Sequence, residues 1–191
     1  LLLLLNNDVE ALEPGWLEAM AAQARRPVVG AVGALLLYPD RTLQHGGLVV
    51  GLDGHAEHAY RQLPLNHGVH RGRSQLLSRW DAVTGACLML RKELLLALGG
   101  FDEGLPVEGN DVDLCLRLEQ LGYRQVIPPE AVLLHHESQS RDVRQSSTEA
   151  AAVRRLQQRW GVRLQKPGAC WPAQADGIHP DGRPRGLEQL P

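Results

Sequence analysis

The sequence predicts an α/β domain in which a mixed sheet is covered by flanking helices, and two observations predict it. Short apolar runs rich in Val and Leu alternate with stretches of helical periodicity along most of the chain. Three polar clusters also sit where such runs end or where a helix opens: Asn6-Asn7-Asp8, Glu108 to Asp113 and His135 to Ser138. Ligands bind beyond the carboxyl ends of strands in sheets of this kind, so the clusters are expected to converge on one site.

Taken in order, Leu1 to Leu5 reads as the latter part of a buried strand, a short apolar run that meets a loop at Asn6. A helix of about ten residues follows Pro14-Gly15, with Leu17, Met20, Ala21 and Ala24 at helical spacing and Pro27 as its stop. Val28 to Tyr38 and Leu43 to Leu52 are apolar runs that predict a hairpin or two neighbouring strands. Residues 53–79 are polar and rich in Gly and His, which predicts a long surface loop. Ala82 to Leu90 is a strand in pattern, with the small residues Thr84-Gly85-Ala86 where something approaches the backbone closely. Arg91 to Leu98 is a helix closed by Gly99-Gly100.

The central helix opens at Asn110, the expected N-cap, with Asp113 at N3 as in a capping box. Val112, Leu114, Cys115, Leu118 and Leu121 form its apolar face, Arg117 and Glu119 are expected to face water, and Gly122 ends it. Asp111 and Asp113 are two positions apart, about 200° of helix rotation, so they cannot both point into one pocket. One is chemical and the other structural, or both merely complement the helix dipole. Short strands at Arg124 to Ile127 and Ala131 to Leu134 and a helix over Thr148 to Trp160 complete a domain spanning 1–165. From Lys166 the aperiodic Pro- and Gly-rich composition predicts a disordered tail over 166–191.

Composition excludes several classes. A net charge of −2 and an aromatic content of 4% argue against a nucleic-acid partner. Cys87, Cys115 and Cys170 form no CxxC pair and read as small core residues rather than a zinc site or disulfide frame. No apolar run approaches the roughly 18 residues that would cross a bilayer.

Asn6-Asn7-Asp8 at a strand end fits either an Asx-turn or an oxygen site for a hard cation, since Mg2+ or Mn2+ takes only one or two protein carboxylates. His135 is either an added imidazole ligand or a hydrogen-bonded strand-end residue. His55 and His58 read as loop residues, with no third ligand evident nearby.

Together and in this order, four stretches resemble the latter two-thirds of a family 2 glycosyltransferase with a GT-A fold, most closely its rhamnosyltransferase-like branch. They are Leu3-Leu4-Leu5-Asn6-Asn7-Asp8 with Pro14-Gly15-Trp16-Leu17, Ala82-Val83-Thr84-Gly85-Ala86-Cys87, Gly99-Gly100-Phe101-Asp102-Glu103 with Asn110 to Arg117, and His135 to Arg141. The resemblance implies that Asn6 and Asp8 occupy the DxD position that holds the metal and the nucleotide diphosphate, with Asn6 replacing the first acid. It implies that Asp111 is the catalytic base, that His135 completes the metal site, and that Gly85 and Asn110 lie on the acceptor side. A divalent metal (Mg2+ or Mn2+), a nucleotide-diphosphate sugar donor and a glycan or glycolipid acceptor follow, in inverting transfer for polysaccharide or glycoconjugate synthesis. A cytoplasmic enzyme at the inner face of the membrane would suit it. The nucleotide-binding half of such a domain would precede Leu1, so the chain is expected to be a fragment with little activity alone. Two other readings use the same residues: a non-catalytic remnant with a binding role, and a metal-dependent phosphohydrolase.

Overall fold

The computed structural model describes residues 1–171 apart from 53, 71, 106–108 and 137–145. Its strands are β1 (Leu2–Leu5), β2 (Val9–Ala11), β3 (Val29–Gly33), β4 (Leu35–Leu37), β5 (Leu43–His45), β6 (Leu48–Leu52), β7 (His55–His58), β8 (Ser78–Trp80), β9 (Cys87–Leu90), β10 (Arg124–Ile127) and β11 (Val132–His135). The helices are α1 (Trp16–Ala24), α2 (Lys92–Ala97), α3 (Asn110–Gln120) and α4 (Ser146–Trp160).

One sheet has the order β1-β9-β3-β10-β8, a second β2-β11-β4-β5, and β6 and β7 form a separate hairpin. The pairs β3–β10 and β4–β11 are parallel and all others antiparallel, so both larger sheets are mixed. The expected α/β architecture is therefore present. Alternation along β9 shows how helices cover the first sheet: Cys87 and Met89 pack with Met20 and Ala24 of α1, while Leu88 and Leu90 join Leu114, Cys115 and Leu118 of α3. Helix α1 has no basic residue in its last turn, and Arg91 closes it from outside, donating to the carbonyls of Ala24, Arg26 and Pro27.

Several expectations need correction. The run 28–38 is not one strand, because the chain passes from the first sheet to the second at Ala34; β4 and β5 do form the predicted hairpin. Strand β1 lies at the sheet's edge, half-buried and antiparallel to β9. The segment 53–79 is not a surface loop: it contains β7, a 3-10 turn at Gly68–His70 and most of β8, and it buries Ala59, Tyr60 and His70. Its polar residues hide this, since His70 is buried by stacking on Tyr60 at 4.8 Å. The strand predicted from Ala82 starts only at Cys87, and residues 82–86 form a connection in which Thr84 and Gly85 are only half-buried. The tail does not begin at Lys166. Residues 166–171 fold back so that the Lys166 carbonyl lies against Gly51, and Trp171 is buried against Tyr60. The remainder, 172–191, lies outside the described residues.

Candidate active site

The antiparallel pairing of β2 with β11 builds the first half of the site. His135 is opposite Val9, and one step further the His136 amide donates to the Asp8 carbonyl at 3.0 Å. This register sets Asp8 beside His135, with Asp8 Oδ1 3.1 Å from His135 Nε2 and both side chains mostly buried. On the far side of the ring, His135 Nδ1 lies 2.5 Å from Gln44 Oε1. The Gln44 amide nitrogen meanwhile donates to the His135 carbonyl at 3.4 Å, which fixes the orientation of the amide. Nδ1 must then carry a proton; with none on Nε2, that nitrogen would turn its lone pair toward a carboxylate oxygen. Two acceptors this close need a positive charge between or upon them. Their 3.1 Å separation is also close to that of two neighbouring ligands at right angles around a cation with bonds of about 2.1 Å. One carboxylate and one imidazole fit a hard divalent cation that takes its other ligands from phosphate and water. Among the described residues no group of three or more His, Cys, Asp or Glu could hold a metal by itself.

The second half is the mouth of α3. Gly109, not Asn110, is the N-cap residue, and its φ of 76° lets the chain turn into the helix without a side-chain cap. Asn110 is the first helical residue. Asp111 is held at both oxygens: the Gly85 amide donates to Oδ2 at 2.9 Å and the Val112 amide to Oδ1 at 2.8 Å. These two amides fix the carboxylate in place at the helix mouth. Asp113 does not cap the helix. It is fully buried, accepting from Arg117 Nε at 2.8 Å and Trp160 Nε1 at 2.9 Å, with Arg159 at 3.1 Å. Arg117, expected in water, is thereby buried, and Leu121, expected in the core, is 60% exposed.

A cavity of about 600 Å³ brings the two halves together. Asn6, Gly85, Asn110, Asp111 and His135 line it; Asp8 does not, and is linked to it through His135. Asn6 is exposed, with its backbone amide donating to the Ala86 carbonyl, and Glu108 lies outside the described residues, as do residues 137–145. His55 and His58 are strand residues rather than loop residues, and both reach the cavity. Phe101, Val153 and Leu156 supply an apolar wall.

Two site residues had no place in the sequence expectations. His45 is completely buried and accepts the Thr84 amide at Nε2, 3.3 Å away, so its Nδ1 proton faces His58 Nδ1 at 3.1 Å. Burial, reinforced by His58 and His135, pushes its pKa well below the usual histidine range and keeps the ring neutral. Gln44 stands beside it. Their signal in the sequence is a polar pair, followed by Gly46-Gly47, inside an otherwise apolar run.

Comparison with known proteins identifies the family. Residues 1–162 match the family described as "Glycosyltransferase like family 2". The chain is 48% identical over 142 residues to the O-antigen biosynthesis protein RfbC of Myxococcus xanthus, covering 74% of this chain and 11% of that protein. It is 43% identical over 162 residues to the uncharacterized protein y4gI of Sinorhizobium fredii, covering 82% and 18%. To the N-acetylglucosaminyl-diphospho-decaprenol L-rhamnosyltransferase of Mycobacterium tuberculosis it is 32% identical over 149 residues, covering 71% and 46%. The chain thus spans between about a tenth and a half of the length of these relatives. With the model of a family matched over most of its length and mixed sheets of the expected kind, the chain belongs to glycosyltransferase family 2.

Proposed function

We propose that these residues form the acceptor and metal side of an inverting transferase that moves a sugar from a nucleotide-diphosphate donor to the hydroxyl of a glycan or glycolipid. The observation that carries the reading is Asp111, a carboxylate fixed by two backbone amides and opening onto the same cavity as His135. The names of the relatives, O-antigen biosynthesis and rhamnosyl transfer, favour a bacterial surface glycan.

In this mechanism Asp111 accepts the proton of the acceptor hydroxyl while that oxygen attacks the anomeric carbon. The new C–O bond forms on the face opposite the diphosphate, whose C–O bond breaks with its electron pair, so the configuration inverts without a covalent enzyme intermediate. Asp8 and His135 would hold the divalent cation, Mg2+ or Mn2+, which when bound offsets charge on the departing diphosphate. The polar floor of the cavity, Asn110 and Asp111, faces an apolar wall at Phe101 and Leu156, a pairing suited to a sugar with polar edges and an apolar face.

Asp111→Asn in the natural protein carrying these residues should lower sugar transfer by about 10²- to 10⁴-fold with donor affinity nearly unchanged. Turnover like that of the unaltered protein would remove Asp111 from the base role. Chelation by EDTA should abolish transfer, with Mn2+ or Mg2+ restoring it; full activity in EDTA would refute metal dependence.

A further inference from the structure

The pairing of β4 with β5 contains an irregularity at the site. Leu36 is opposite His45, but Leu37 is opposite Leu43, so β5 carries one extra residue and Gln44 is the bulged one. Consecutive side chains of a regular strand point to opposite faces. Here the bulge lets two neighbours serve one site: Gln44 reaches the His135 ring and carbonyl, while His45 accepts from Thr84, next to the Gly85 amide that holds Asp111.

We propose that Gln44 is a positioning residue of the cation site: the bulge aims its amide so that Oε1 holds the proton of His135 on Nδ1 and leaves Nε2 facing Asp8. The inference rests on the reading of Asp8 and His135 as cation ligands and adds what orients them. Three observations carry it. Gln44 is buried, which shields its amide from solvent. Its amide bonds both the ring and the carbonyl of His135, which ties its orientation to that of the imidazole. Without such an acceptor a neutral histidine is free to place its proton on Nε2, where it would point at Asp8 and block a cation. Groups that hold the remote nitrogen of a metal-binding histidine commonly contribute 10- to 100-fold in metal affinity.

The test reads the tautomer directly, in the 191-residue chain and without turnover. Ring ¹⁵N shifts of His135 are recorded by long-range ¹H–¹⁵N correlation across a pH series, and the tautomer is read at the alkaline plateau of those shifts. The expected result is a proton on Nδ1 in the unaltered chain, its transfer to Nε2 in Gln44→Leu, and its retention in Gln44→Glu, which keeps an acceptor oxygen. A proton on Nε2 in the unaltered chain, or on Nδ1 in Gln44→Leu, overturns the proposal. Mn2+ added to the same samples separates the two levels of the argument. It should broaden the His135 ring signals of the unaltered chain and of Gln44→Glu, and require 10- to 100-fold more metal in Gln44→Leu. Equal broadening in Gln44→Leu overturns the role of Gln44 while the cation site stands. No broadening in the unaltered chain, or broadening that survives Asp8→Ala, overturns the cation site and with it this inference.

Discussion

Asp111 and Asp113 stand two residues apart at one helix mouth and do unrelated work, because half a turn of rotation sends one to the cavity and the other into the core. Spacing alone excluded a shared pocket for the two, and the strand-end placements of Asp8 and His135 were legible from the pattern; which acid meets the cavity was not. Gln44 and His45 were not. Which way they point depends on an extra residue opposite Leu37, a property of the pairing between strands and not of the local pattern. Gly85 offers a residue-scale prediction. A Cβ built there has Asp111 Cβ at 3.7 Å and Oδ2 at 3.9 Å as its nearest neighbours, ordinary contacts that leave the fold intact. Gly85→Ala should therefore keep its unfolding midpoint while a methyl group intrudes beside the Asp111 carboxylate. A loss in kcat/KM for the acceptor on the order of tenfold is expected, read from initial rates at varied acceptor concentration. An unchanged value would place the acceptor elsewhere.

At the scale of elements, α4 owes its position to two acids. Asp102 accepts from Arg155 at 2.8 Å and Arg159 at 3.3 Å, and Asp113 takes the Trp160 indole and Arg159 from within α3. These arginines lower the Asp102 pKa, with the Arg155 hydrogen bond contributing most. The helix contributes Ala152, Val153 and Leu156 to the cavity, so this clamp shapes the site from behind. Asp113→Ala would leave Arg117 and the Trp160 indole buried without their partner, and breaking such a pair costs about 3 to 5 kcal/mol. Urea unfolding should show that loss; a change below about 1 kcal/mol would mean that α4 holds without it. The helix itself was legible from its apolar spacing, but its docking was not, because the acid that receives Trp160 is distant in sequence and resembled a cap.

For the whole molecule, the histidines set how stability responds to acid. Burial next to His67 lowers the pKa of His70 from 6.5 to about 4, and that of His45 falls well below 6.5. The folded state then binds fewer protons than the unfolded chain, so the stability these rings allow is complete above about pH 6.5 and erodes as pH falls through 6.5 toward 4. The urea midpoint should be level from pH 8 to 7 and decline from about 6.5 downward, and His70→Phe, which keeps a ring on Tyr60, should flatten the decline. An equal decline in that variant would assign the effect to other groups. The alternation of strands and helices predicted the class, yet not the division of residues 29–37 between two sheets, since Ala34 carries no break signal. That division has a kinetic consequence. Strands β3 and β4 find their parallel partners β10 and β11 roughly 95 residues downstream, so a single long loop closure must zip both sheets at once. The β4–β5 hairpin is local, but neither parallel pair can form before this closure. Amide hydrogens on both sides of Ala34 should exchange with one shared opening free energy, as a single cooperative unit that forms slowly and late.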